Sequence, residues 1–160
     1  GLLMSRALPS SMPRHARGMS LIEVMVSVLV LAVGLLGVAA MQSLALRGGQ
    51  GSLESTQAVM ATSSILESIR ANRAQADAYN MAKLCSGTVT ASDALAQSDK
   101  NAWLTSLKTT IGSGVSDTTT CGQIENCDDA NATTCKITVY WDDTRAGGSN
   151  ARSLSVEAQI

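Results

Sequence analysis

Between Met19 and Met41 the only polar side chains are Ser20, Glu23 and Ser27. A helix over that span is roughly 35 Å long at about 1.5 Å per residue, enough for a hydrocarbon core of about 30 Å. Over Gln42 to Arg47 polar residues return, and Gly48-Gly49-Gln50-Gly51 then concentrates three glycines. Each costs roughly 1 kcal/mol in a helix interior, which predicts a soft or locally melted stretch within one long helix. Helical periodicity resumes at Leu53: Ala58, Val59, Thr62, Ile65, Leu66 and Ile69 share one side, while Glu54, Gln57, Glu67, Arg70 and Arg73 face elsewhere. The pattern carries this helix to about Asn80 or Lys83.

Beyond it the pattern weakens. Leu84 to Thr90 reads as a loop. Asp99 to Leu107 reads as a short helix capped by Ser98 or Asp99, burying Trp103, Leu104 and Leu107 and stopped by Gly112. Gly112 to Asn131 is rich in Gly, Ser, Thr and Asp, with at most a weak strand around Val115 to Cys121. Cys135 to Asp142 then alternates, with Ile137, Val139 and Trp141 on one face and Lys136, Thr138 and Tyr140 on the other. After a long turn containing Gly147-Gly148, a last strand sets Leu154, Val156, Ala158 and Ile160 against Ser153, Ser155, Glu157 and Gln159. The two strands predict an antiparallel hairpin laid on the helix. The fold class is α+β, a long membrane-spanning helix with a small antiparallel head, divided as 1–18, 19–47, 48–83 and 84–160.

Charge matters chiefly at the N-terminal end. Residues Gly1 to Gly18 hold Arg6, Arg14, His15 and Arg17 and no acid. Basic residues abutting an apolar helix keep that end in the cytoplasm, so the remainder faces outward. A secretory signal would be cut behind the apolar region, whereas here the change of character falls before it, at Gly18. Glu23 stands at the head of the apolar run, where an acid is costly and therefore a functional candidate.

Gly18 followed by Met19-Ser20-Leu21-Ile22-Glu23-Val24 resembles the class III signal of type IV prepilins and pseudopilins. The resemblance implies that a prepilin peptidase cuts between Gly18 and Met19 and that Met19 receives the methyl group, with Glu23 as the fifth mature residue. Met19 departs from the usual phenylalanine. No Lys or Arg lies between Met19 and Leu46, so the cation for Glu23 would be the amino terminus of a neighbouring subunit, and the pair would set subunit register. Ile65-Leu66-Glu67-Ser68-Ile69-Arg70-Ala71, Trp103-Leu104 and Ile137-Thr138-Val139-Tyr140-Trp141-Asp142 are similar to the PilV-type minor pilins, the type IV pilus modification proteins. That likeness implies a scarce subunit of a priming complex, held in the inner membrane with its head in the periplasm and later placed at or near the pilus tip. Its implied partners are other minor pilins, the major pilin and the inner-membrane assembly platform.

The remaining composition narrows this further. The chain of 160 residues has a formal net charge of −1, which argues against nucleic acid as a partner. Cys85, Cys121, Cys127 and Cys135 all fall on the exported side, where their even number predicts two disulfides with three connectivities open. Their spacing does not suit zinc, and neither a metal nor another cofactor is expected. Asp128-Asp129 and Asp142-Asp143 read as solvated turn acids rather than a calcium loop, and Asn131-Ala132-Thr133 is a sequon of little weight. The single histidine lies in the leader, so no exported serine has a base and no enzyme is expected. Two other functions share parts of this pattern: a minor pseudopilin of a type II secretion system, and a membrane-anchored periplasmic enzyme or binding domain.

Overall fold

The computed structural model describes residues 18–128 and 134–160. Asp129 and the sequon at Asn131 lie outside the described residues, as does the leader up to Arg17. The chain divides into two compact units, the first ending at Met41 and the second running from Gln42 to Ile160. One α-helix, α1 (Leu21–Ala71), supplies residues to both.

In the first unit every described residue is exposed, and this part of α1 is long and apolar enough to cross a membrane. A helix is what the sequence must form there: inside hydrocarbon, backbone groups find partners only within their own segment.

The second unit begins where polar residues return. A soft or locally melted stretch within one long helix is expected at Gly48–Gly51, and α1 runs through these glycines as one helix. Gly51 lies against the turn that carries Ala146, where a Cβ would come within 3.4 Å of the Ala146 Cβ, so packing offsets the weak local propensity. Farther on, α1 buries Glu54, Ala58, Thr62, Ile65, Leu66 and Ile69. That corrects two sequence expectations: Val59 is 47% exposed, and Glu54, expected to face outward, is buried.

The helix also ends earlier than its periodicity predicts. Regular α-geometry stops at Ala71, a 3-10 segment follows at Arg73–Tyr79, and strand β1 (Met81–Leu84) occupies residues expected to be helical. Tertiary contacts override propensity here. The Asn72 amide donates to Asp93 Oδ2 at 2.9 Å, and the Tyr79 hydroxyl donates to Asp99 Oδ2 at 2.5 Å, fastening the chain to the next helix. That helix, α2 (Ala94–Thr110), starts before the predicted Asp99 because Asp93 caps it, accepting the Ala96 amide at 2.9 Å. Gly112 follows the end of α2, where a Cβ would stand 2.1 Å from the Asp117 carboxylate.

Four antiparallel strands form one sheet in the order β1-β2-β3-β4, with β2 (Cys121–Glu125), β3 (Cys135–Trp141) and β4 (Arg152–Ala158). The β3–β4 hairpin is the one expected, with Ile137 opposite Val156 and Val139 opposite Leu154. The weak strand expected at Val115 to Cys121 instead lies at Cys121–Glu125, because β2 is fixed by pairing Gly122 with Val139 and Ile124 with Ile137. Ile65, Ile69, Leu107, Ile111, Ile124, Ile137, Val139 and Trp141 are all buried in the core. Trp103 joins α2 to two neighbours at once. Its indole N–H donates to the Ala61 carbonyl at 2.9 Å, and its ring covers Gly122, where a Cβ would approach to 2.4 Å. Two disulfides, Cys85–Cys121 and Cys127–Cys135, settle the open connectivity and engage all four cysteines.

Candidate functional site

The N-terminal residues singled out by sequence stand together at the start of α1. Gly18, Met19 and Ser20 precede the helix and are exposed, with Met19 at 72%. The Ser20 carbonyl accepts from the Glu23 amide at 3.0 Å and the Val24 amide at 3.3 Å, which opens the first helical turn. Glu23 lies in that turn, where the helix dipole favours an acid. Ser27 donates its hydroxyl to the Glu23 main-chain carbonyl, leaving the carboxylate itself available. Among the described residues no cation pairs with Glu23. The arrangement is an exposed backbone segment joined to an acid that no cation pairs among the described residues.

The second unit treats its polar groups in a different way. Lys100 is almost fully buried, yet its ammonium donates to the carbonyls of Ala78 at 2.8 Å and Thr90 at 2.9 Å, and burial draws its pKa down. Burial alone would raise the Asp117 carboxyl. Hydrogen bonds from the Thr119 hydroxyl and amide, the Thr120 hydroxyl and the Ser113 amide outweigh that and hold it well below the usual carboxylate range. The Ala96 amide and then the Asn72 amide lower Asp93, and burial together with the hydrogen bond to Asp99 pushes the Tyr79 hydroxyl up to about 12. Lysine, aspartates and tyrosine here fasten loops to the core through hydrogen bonds within the unit.

A second cluster was missed by sequence reasoning. Asp143, expected to be a solvated turn acid, is 1% exposed and accepts from Arg152 Nη1 at 2.5 Å. Across from it Glu54 pairs with Arg145 Nη2 at 3.6 Å, and the same nitrogen donates to the Ile111 carbonyl at 3.1 Å. Glu54 Oε2, Asp143 Oδ1 and Trp141 Nε1 are buried without a hydrogen-bond partner among the described residues. Burial, and then the neighbouring Asp143 carboxyl, raise the Glu54 carboxyl. The available signal was the spacing of Glu54 from Ala58, Thr62 and Ile65 on one face of α1. Asp142, by contrast, is part-exposed, with the hydroxyl and amide of Thr144 lowering its pKa. Among the described residues no group of three or more His, Cys, Asp or Glu side chains is arranged to hold a metal.

The family described as the prokaryotic N-terminal methylation motif matches residues 13–39, which include Gly18, Met19, Glu23 and nearly all of the apolar stretch of α1. The comparisons find no match among curated proteins and none among solved structures. The chain therefore carries the N-terminal signal of type IV pilin-like proteins and pseudopilins on a pilin-like α+β architecture. The motif implies processing by a prepilin peptidase and anchoring in a membrane, and it points to a structural protein rather than an enzyme.

Proposed function

We propose that this chain is a minor pilin that helps to prime type IV pilus assembly and is incorporated at or near the pilus tip. It waits in the inner membrane with its N-terminus in the cytoplasm and its head in the periplasm. Prepilin peptidase removes residues 1–18, and Met19 becomes the methylated amino terminus. The assembly platform then draws the apolar helix out of lipid into contact with the major pilin and other minor pilins. The observation that carries this reading is Glu23, unpaired among the described residues of its own chain and five residues into the processed product. A carboxylate in an apolar setting is stable only beside a cation, and the freed amine of the next subunit provides one. The β3 segment Ile137 to Asp142, with its likeness to PilV-type subunits, favours the pilus over a type II secretion pseudopilin.

The decisive experiment is intact-mass and N-terminal sequencing of the full chain extracted from membranes of cells holding an active prepilin peptidase. The expected product begins at methylated Met19. A chain still joined to residues 1–18 overturns the proposal and leaves an anchored exported domain. Co-purification with pilus rather than secretion subunits tests the assignment to the pilus.

A further inference from the structure

On the second unit, α1 and the connection between β3 and β4 enclose a cleft of about 600 Å³ lined by Arg47, Gly48, Gly51, Ser52, Gly148 and Arg152, among others. Among the described residues its only acidic lining residue, Asp143, is 1% exposed and turned onto Arg152, so the accessible charge of the described lining is cationic. Arg152 keeps 45% of its side chain exposed after making that pair. Arg47 is exposed, and no hydrogen bond or ion pair holds it among the described residues. Glycines leave the cleft wall open. A Cβ at Gly48 would meet nothing within 4 Å, whereas Gly51 and Gly148 pack against the turn beneath. Arg47 is also the first charged residue of the chain after Glu23, directly behind the apolar stretch.

We propose that this cleft binds the phosphate of an anionic phospholipid headgroup, with Arg47 and Arg152 as the cationic donors and Ser52 as a neutral one. The proposal rests on the reading that the preceding apolar helix lies in a membrane. Arg47 follows the apolar stretch closely in sequence, and guanidinium groups match a phosphate diester by charge and by their forked N–H geometry. Binding there would fasten the head to the bilayer while the subunit waits for assembly, and extraction into the filament would release the lipid.

The test is native mass spectrometry of the full chain in neutral maltoside micelles containing phosphatidylglycerol. One retained lipid is expected, and Arg47→Gln should weaken retention roughly tenfold, the loss of one charge-assisted contact. Arg152→Lys keeps the charge opposite Asp143 but loses the fork, and should weaken retention less. Arg47→Gln combined with Gln50→Arg returns a cation to the exposed surface of α1 outside the cleft and should not restore binding. Unchanged retention in Arg47→Gln overturns the site, and restoration by Gln50→Arg reduces it to general interfacial charge. Inorganic phosphate that binds in lipid-free micelles as tightly as phosphatidylglycerol, read by phosphorus NMR, overturns the lipid assignment. Carbonate washing of membranes separates this proposal from its premise. A chain that stays in the pellet with unaltered lipid retention defeats the cleft alone, while a chain released by the wash defeats both.

Discussion

The first and second units place most of their polar groups under different rules. In the second unit Lys100, Asp117, Asp93 and Tyr79 find hydrogen-bond partners within the chain. In the first unit Glu23 finds none among the described residues, and its apolar neighbours all face outward. Groups completed internally set stability, because deleting either partner strands the other in a buried place. Glu23, exposed and without a cation among the described residues, is the group that we propose a neighbouring subunit completes. Mutations in the two units should therefore separate cleanly: one class moves assembly and leaves head stability alone, and the other does the reverse.

The largest expected effect belongs to the first unit. Glu23→Ala should be cut after Gly18 at the normal rate but should fail to enter filaments, because the amine of the adjoining subunit loses its counter-charge. Immunodetection in sheared pili, alongside N-terminal sequencing of the membrane pool, measures the two steps separately. Incorporation at the wild-type level would remove Glu23 from any role in register. The thermal midpoint of the head should not move, and a shift would break the proposed separation between the units.

Next come the disulfides, which act only on the second unit. The Cys85–Cys121 bridge spans 36 residues and Cys127–Cys135 spans 8. Chain-entropy arguments assign the first roughly 4 kcal/mol and the second roughly 2.5 kcal/mol. Replacing both members of each pair with serine should lower urea midpoints in that order, with processing at Gly18 unaffected. A smaller effect is expected from Gly122→Ala, whose Cβ would stand 2.4 Å from the Trp103 ring. The clash should destabilise the head by about 1–3 kcal/mol, as overpacking of a core usually does.

The same contrast governs what could be read from the sequence. The apolar stretch and the Gly18-to-Glu23 motif were fully legible, because a membrane segment is specified by consecutive residues and depends on no distant partner. The β3–β4 hairpin was legible for a similar reason: its two alternating strands are neighbours in the chain. β1 and β2 were not. Met81–Leu84 is short and continues a helical pattern, while Cys121–Glu125 carries glycine and two polar residues and is held by its pairing with β3. The expected facing of Glu54 and Asp143 failed because their burial arises from packing α1 against the turn after β3, a contact between residues roughly ninety apart. The cystine pairing belongs to the same class, Cys85–Cys121 being set by the meeting of β1 and β2 and Cys127–Cys135 by that of β2 and β3. The features legible in advance are thus those set by residues close in sequence, while the features found only in the structure join distant segments of the head.

The smallest predicted effect is a titration. Tyr79 is buried, and burial with its hydrogen bond to Asp99 raises its hydroxyl to about 12, above the ordinary value of 10.0. In the folded state the proton is therefore held more tightly than in the unfolded chain. The resulting stability is fully present below about pH 10 and is lost as pH rises toward about 12. Lys100 works in the opposite direction over its own range. Burial lowers its pKa, so the unfolded chain binds the extra proton and stability increases as pH passes upward from the folded value to the unfolded one. Urea midpoints of the head followed from pH 8 to pH 12 should reflect both. Tyr79→Phe should flatten the falling limb and Lys100→Met should remove the rising contribution, the latter also lowering stability throughout by stranding three carbonyls. A falling limb that survives in Tyr79→Phe would show that another group carries it, and would remove this tyrosine from the set of internally completed polar groups that distinguishes the head from the membrane segment.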